Sequence, residues 1–429
     1  MKFIADLHIH SRFSMATSRS LNIPELSVWG AYKGINVLST GDFTHPLWRQ
    51  ELKEWLVQDD NTGLFKTAKP IVKNDGQNIF PVSFMLGAEI SSVYKKNGKT
   101  RKVHNLIFAP DFEAADKISA KLEKIGKISS DGRPILKLDS HDLLELILDV
   151  SERNILVPAH VWTPWYALFG SKSGFDKIEE CFGDLTSHIF ALETGLSSDP
   201  AMNRHLSSLD NFTLISNSDA HSGPNLGREA NLFSGPPSWD GIFGSLKNAA
   251  KRNTDETENC KFLGTMEFYP EEGKYHLDGH RKCGVSLLPS ESKKYGNKCP
   301  VCGKPLTIGV LNRVMELADR DKPGILPNEP TYSSLAPLTL ILSQILGCGE
   351  KTSTVQKTYL DAISAIGPEL DILCLADVEE IRNWWEPLGE AVDRMRQGKI
   401  KLSAGYDGEY GKISIFDKAE LKELGKIRK

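Results

Sequence analysis

Lys2-Phe3-Ile4-Ala5-Asp6-Leu7-His8-Ile9-His10-Ser11 opens the chain, and the reading of this stretch decides the rest. A short apolar run delivers two histidines at i and i+2. On an extended strand, residues two apart project to one face, so His8 and His10 can converge on a single metal ion. A lone His-x-His is weak evidence, because histidine is often just a hydrogen-bonded surface or core residue. Here the partners recur at the ends of other apolar runs. Residues 35–40 lead into Asp42, residues 84–88 into Glu89, and residues 155–158 into His160. His104 lies inside the strand-like stretch 102–108, and residues 212–216 lead into Asp219 and His221. Helix-like segments such as Ser140–Val150 fall between them. Strands alternating with helices, with His, Asp or Glu at the strand ends, are the pattern of a β/α barrel whose active site gathers residues from several strands.

Imidazole and carboxylate donors together suit zinc, manganese or iron better than calcium. Two such ions roughly 3.5–4 Å apart can activate a water, clamp an attacked phosphate and stabilise the departing oxygen without a covalent enzyme intermediate.

At 429 residues the chain is too long for one ordinary core and suggests two or three domains. With 40% hydrophobic and 25% charged residues it has the composition of a globular protein. No apolar run approaches 18 residues and no signal peptide is evident, so the expected location is the cytoplasm, with no membrane association.

The seven cysteines do not read as a disulfide framework. Cys181, Cys260, Cys348 and Cys374 are isolated and read as small buried hydrophobes. The other three cluster: His280-x2-Cys283 is followed by Cys299-Pro-Val-Cys302-Gly-Lys. This is the spacing of a structural zinc site closed by four protein ligands. A thioredoxin-like redox role fails for want of a βαβ context. His276 competes with His280 for the fourth position, and His280 is preferred because it reproduces the two-residue gap. Around this knuckle Arg281, Lys282, Lys293, Lys294, Lys298, Lys304 and Arg313 stand against Glu291 alone. A net charge of −4 argues against a nonspecific nucleic-acid coat, yet this local stripe is a usable phosphate-binding surface. Thr307 is expected to begin a helix that packs through Leu311, Val314, Met315 and Ala318.

Beyond the charged joint at residues 319–323 the chain turns helical. The apolar run 335–346 ends at Gly347-Cys348-Gly349, whose amides either cap a helix or face a DNA phosphate. Asp407-Gly408, between residues 399–402 and 412–416, signals a hairpin, and Tyr406 is a candidate for stacking on a base. The resulting division is 1–260 for the metal-binding barrel, 261–322 for the zinc module, and 323–429 for a helical DNA-binding domain with a terminal hairpin.

Asp6-Leu7-His8-x-His10, Thr40-Gly41-Asp42, Gly87-x-Glu89, His104, Pro158-Ala159-His160 and Ser218-Asp219-x-His221 resemble the motifs of the polymerase and histidinol phosphatase (PHP) superfamily. The resemblance implies an α/β fold, a distorted seven-stranded barrel, carrying two to three divalent ions such as zinc, manganese or magnesium for phosphoester hydrolysis. Carried over, His8, His10, Glu89 and Asp219 would surround one ion. Glu89 would bridge to a second held by His104 and His160, and Asp42 with His221 would serve a third. Asp42 stands where most of the superfamily has His. Glu193 joins Glu89 and Asp219 as a catalytic candidate. The order of barrel, zinc module and helical tail is similar to that of a DNA-repair branch of the superfamily. That implies cleavage 5′ to deaminated bases (hypoxanthine, uracil, xanthine) and abasic sites, leaving a 3′-hydroxyl. Damaged DNA would be the partner, and a sliding clamp a further one, although the C-terminus offers no clear clamp-binding segment. The competing reading is a phosphatase for a small phosphate ester. Arg12, Phe13, Ser14, Trp48, Trp162 and Trp165 follow the metal motifs directly, so they are expected to ring the site and hold an everted base by stacking. Arg281 and Lys282 would add phosphate contacts.

Overall fold

The first strand, Lys2–Asp6, is apolar and flanked on both sides, which places it inside a sheet and not at an edge. In the computed structural model, which describes residues 1–71, 80–252, 259–417, 419–421 and 423, it pairs in parallel with Val37–Ser39 and antiparallel with Ala230–Ser234. Val37–Ser39 continues in parallel to Ser83–Lys96. That long strand forms a hairpin with Lys99–Ala109, which pairs in turn with Ile155–Pro158. Two successive antiparallel pairings return Ile155–Pro158 to the direction of Lys2–Asp6, so these strands deliver their C-terminal ends to one side. A separate parallel pair, Ala191–Glu193 with Thr213–Ile215, ends in the same region. The fold is mixed α/β.

The first strand stops at Asp6, before the histidines. His8, Ile9 and His10 stay extended, because Ile9 bridges to Ala220 and the His10 amide donates to the Ala220 carbonyl at 3.0 Å. Alternation survives: Leu7 and Ile9 enter the core while the two imidazoles share the other face. Glu89 and His104 lie within their strands and not at the ends, two rungs apart in the hairpin, where Glu89 pairs with Leu106 and Ser91 with His104.

The helix Ser140–Val150 forms as its pattern requires. Asp139 caps it by accepting from the His141 amide at 3.0 Å, and Leu143, Leu144 and Ile147 go inward. The helix expected from Thr307 begins later, at Val310 and running to Leu317, because Thr307 is held in an exchange of backbone hydrogen bonds with Gly279.

Lys261–Phe268, counted with the zinc module on sequence, runs in the large sheet between Ala230–Ser234 and Thr331–Leu335. After it come the helices Leu338–Leu346, Ser353–Ala365, Val378–Trp384 and Glu386–Arg396 and the antiparallel pair Lys401–Ser403 with Lys412–Ser414. These helices share one apolar core with the sheet, from Ile4 and Leu38 through Leu338 and Leu388. A buried ion pair at 2.5 Å, Lys33 with Glu369, ties them to the helix Ile23–Lys33. Gly347 takes the left-handed conformation and closes Leu338–Leu346, its amide and that of Cys348 returning to Gln344 and Ser343, so these amides are consumed by the cap. Among the described residues no helix is long and apolar enough to cross a membrane. Most of the extreme C-terminus, where a clamp-binding segment would be sought, lies outside the described residues.

Candidate metal centres

The sheet brings two sets of donors together around one carboxylate. His8, His10, Glu89 and Asp219 each offer a ligand atom, all within 4.8 Å of one another, and Glu89, His104 and His160 do the same. Glu89 belongs to both. Its Oε2 lies 3.5 Å from His8 Nε2 and 3.2 Å from His10 Nε2. Its Oε1 lies 2.6 Å from His104 Nδ1 and 3.1 Å from His160 Nε2. Asp219 Oδ1 completes the first set at 3.0 Å from His10 Nε2.

The backbone is bent to make this convergence. Asp42, His160 and Asp219 all take positive φ, at 52°, 29° and 46°, a conformation that costs energy in residues with a Cβ and clusters at working sites. Gly41 is needed for another reason: a Cβ there would meet the Ile9 carbonyl oxygen at 2.3 Å, closing the gap between the two histidines' strand and its neighbour.

Each imidazole of the first pair is fixed from behind. His8 Nδ1 lies 3.1 Å from both oxygens of Glu193, which also accepts from the His160 amide at 2.7 Å and Asn217 Nδ2 at 2.8 Å. His10 Nδ1 lies 3.0 Å from Asp42 Oδ1, and Asp42 Oδ2 accepts from the Ser11 amide, the Ser11 hydroxyl and the Ser14 hydroxyl. With Nδ1 engaged, each ring turns Nε2 inward. His8 Nε2, His10 Nε2 and Asp219 Oδ1 are buried atoms without a hydrogen-bond partner. Buried polar atoms are rarely left so, and three of them aimed at one point fit a divalent cation. The field at this point is anionic. Burial alone would lower the His8 imidazole, but Glu193, Asp219 and Glu89 outweigh it and hold it well above its usual range, so without a cation these carboxylates draw a proton onto the ring. Asp219 is held well below the carboxylate range, because His8 and His10 overcome the effect of burial. His104 is pushed down by burial to about 4, which keeps it neutral and ready to ligate.

This geometry corrects four sequence-based expectations. Glu193 faces His8 and not the cluster interior, so it is a positioning carboxylate. Asp42 does not assemble a third set with His221: both of its oxygens are engaged by His10, Ser11 and Ser14, while the His221 ring packs against His10 at 4.5 Å. Trp48 and Trp162 are fully buried, their indole N–H groups donating to the Thr40 and Gly41 carbonyls and to Asn203 Oδ1, so neither can stack on a base. Arg313 is buried and donates to the Phe169 and Phe175 carbonyls and to Asp176, which removes it from the basic stripe.

The other aromatic and basic candidates have distinct places. Phe13 stacks on His45 with ring centroids 4.4 Å apart, Arg12 pairs with Glu51, and Ser14 is buried on Asp42. Trp165 is 43% exposed and, with Tyr275 and Tyr410, lines an apolar cavity of about 290 Å³. Tyr406 packs on Gly279 of the zinc module. Arg281, Lys282, Lys293, Lys294, Lys298 and Lys304 are exposed.

His280, Cys283, Cys299 and Cys302 place one donor atom each within 4.8 Å of the others, with Cys302 Sγ 3.6 Å from His280 Nδ1. His276 stands outside this group. The turn between the last two cysteines is closed by backbone bonds from Cys299 to Lys304 at 2.7 Å and from Gly303 to Cys299 at 2.8 Å. Asp407 holds the C-terminal hairpin to the module, accepting from the Arg281 amide and the Thr307 hydroxyl, each at 2.6 Å.

The family model of the MJ0043 C-terminal domain matches residues 337–399, the helical segment. The uncharacterized protein MJ0043 of Methanocaldococcus jannaschii is 35% identical over 261 residues, covering 59% of this chain and 31% of that one. The chain therefore spans less than a third of that relative's length. The uncharacterized protein YqxK of Bacillus subtilis is 28% identical over 433 residues, covering 96% and 99% of the two chains. Among solved structures, the lesion-specific endonuclease PfuEndoQ from Pyrococcus furiosus superposes with a TM-score of 0.83 at 29% identity over 99% of both chains. A complex of endonuclease Q with a 27-mer duplex carrying an abasic lesion at the active site gives 0.81 at 29% identity over 98% of both. Fold and donor sets define the class, an α/β protein with two candidate metal clusters. Within that class similarity runs the full length of the chain, through the His280–Cys302 cluster and the terminal hairpin. The chain is similar over nearly its whole length to endonuclease Q.

Proposed function

We propose that this chain is a DNA repair endonuclease that cleaves the phosphodiester 5′ to deaminated bases (hypoxanthine, uracil, xanthine) and abasic sites, leaving a 3′-hydroxyl. The observation that carries this reading is the pairing of a bridged double donor set with full-length similarity to a DNA-bound endonuclease Q. A small phosphate ester would leave the zinc knuckle and the helical segment without a task.

In this reading the strands form a distorted PHP-type barrel. His8, His10, Glu89 and Asp219 would hold one divalent ion, and Glu89, His104 and His160 a second. Such ions supply a water of lowered pKa and positive charge for the attacked phosphate. Glu193 and Asp42 fix the tautomers of His8 and His10, so each ring presents Nε2 without reorganising. His280, Cys283, Cys299 and Cys302 would hold a structural zinc, with Arg281, Lys282 and the neighbouring lysines on the DNA backbone. Trp165, with Tyr275 and Tyr410 beside it, offers flat surface to a base turned out of the helix. The protein would act in the cytoplasm on chromosomal DNA.

The test is to incubate the protein and a divalent metal with end-labelled duplexes carrying a single inosine, uracil or abasic residue. Cutting is expected on the 5′ side of the lesion, with the undamaged duplex left intact. Turnover of small phosphate esters with no cut in any lesion duplex would overturn the reading.

A further inference from the structure

The loop Asp131-Gly132-Arg133-Pro134 carries no helical or strand period, yet it places a guanidinium at the rim of the metal cluster. Arg133 Nη1 lies 3.1 Å from Glu89 Oε2, the oxygen shared by His8 and His10. The loop is stitched down on both sides. The Gly132 amide donates to the Phe13 carbonyl at 3.0 Å, and Asp131 accepts from the Met15 amide at 3.1 Å and the Arg133 amide at 2.9 Å. On the far side, the Pro134 carbonyl accepts from Ser91 at 3.1 Å, and Ile135–Leu136 pairs with Ser91 and Ser92. Gly132 permits the approach, since a Cβ there would meet Asp42 Oδ2 at 2.3 Å.

The floor of this site is anionic: Glu89, Asp219, Asp42 and Glu193 face or flank it. A phosphodiester brings another negative charge, so a fixed cation at the rim has work to do. Arg12 is paired with Glu51, and Arg228 donates to the Ser218 and Asp219 carbonyls. Arg133 is different. Its side chain is 27% exposed, and one of its five donors meets Glu89. A planar fork anchored at one corner and open on the other is suited to bidentate contact with phosphate oxygens.

We propose that Arg133 is the phosphate clamp of this site, its free guanidinium edge receiving a non-bridging oxygen of the scissile phosphodiester while Glu89 fixes its position. The proposal rests on the phosphodiesterase reading of the same site, and two measurements separate their fates. The first is binding of inorganic phosphate to the metal-loaded protein by calorimetry. Arg133→Gln is expected to weaken it on the order of 10–100-fold at unchanged metal content, and Arg133→Lys to recover part of the loss. Equal affinity in the three proteins would overturn the clamp, whether or not DNA is cut. The second is cleavage of lesion duplexes whose scissile phosphate is normal or an uncharged methylphosphonate. Arg133→Gln is expected to slow the normal linkage on the order of 100-fold, and the methylphosphonate far less, because the contact is already missing. Equal slowing of both linkages, or loss of metal from the variant, would mean that Arg133 only supports Glu89.

Discussion

The two metal-binding regions are built in opposite orders. In the cluster around Glu89 the scaffold makes the site: His8, His10 and Glu89 are almost wholly buried, and Glu193 and Asp42 orient the imidazoles through their own hydrogen bonds. The knuckle has only Val285, Cys299 and Leu306 as a buried core, and Cys302 is exposed. So small a core cannot offset the conformational entropy of the segment, and the metal must supply the rest. In the proposed reading, one site is pre-organised for an ion, and the other needs an ion in order to hold its fold.

The comparison breaks first where the effects are largest. Cys299→Ser is expected to release the knuckle metal and unfold residues 278–306 locally, since structural zinc contributes on the order of 10–16 kcal/mol to such modules. Asp219→Ala should remove one ligand and lower cleavage by on the order of 10³-fold, while leaving far-ultraviolet circular dichroism and the melting temperature nearly unchanged. Elemental analysis with thermal melts on both variants checks this. A knuckle that stays folded without metal, or a main α/β domain that melts when Asp219 is truncated, would erase the distinction.

A second, smaller effect sharpens it. Glu193→Gln and Asp42→Asn keep shape but weaken the hold on His8 and His10, and outer partners of this kind are worth roughly 10–100-fold in metal affinity or activity. The loss should appear in metal titrations of both variants, with the knuckle metal untouched. Variants that bind metal as the parent does would place these carboxylates outside the site's energetics.

The same contrast explains what could be read from the sequence. Ligand spacing is local in the knuckle, so His280, Cys283, Cys299 and Cys302 were legible as a set. His8 and His10 were legible because i and i+2 share a strand face. The supporting roles were not. Glu193 and Asp219 both follow apolar runs, and nothing local tells a carboxylate that meets the cluster from one 185 residues away in sequence that holds His8. Trp48 and Trp162 sit beside metal motifs just as Trp165 does, and only the backbone turn decides that two face the core. Arg133 reaches Glu89 across 44 residues from a loop with no period.

A further expected effect lies behind the cluster. Glu89 and Asp219 are held ionised by the imidazoles in front of them, whereas Glu267 is wholly buried among the hydroxyls of Thr194, Ser216 and Thr265, with Glu229 nearby. Burial pushes its carboxyl up to about 8, against 4.5 in the unfolded chain. Between those values the folded state binds the proton and the unfolded state does not, so stability falls as pH rises from about 4.5 to about 8, by up to about 1.4 kcal/mol per pH unit for one group. Below the window both states are protonated and the stabilising contribution is complete. Glu267→Gln carries no titrating proton and keeps an acceptor oxygen for the surrounding hydroxyls. The variant should therefore come close to the parent near pH 5 and melt on the order of 10 °C above it at pH 8–9, on the usual scale of about 2–4 °C per kcal/mol for large domains. Melting curves at pH 5, 7 and 9 measure the difference directly. Parallel pH profiles for parent and variant would mean that Glu267 is ionised in the folded protein, and that the carboxylates behind the cluster differ from those in front only in position.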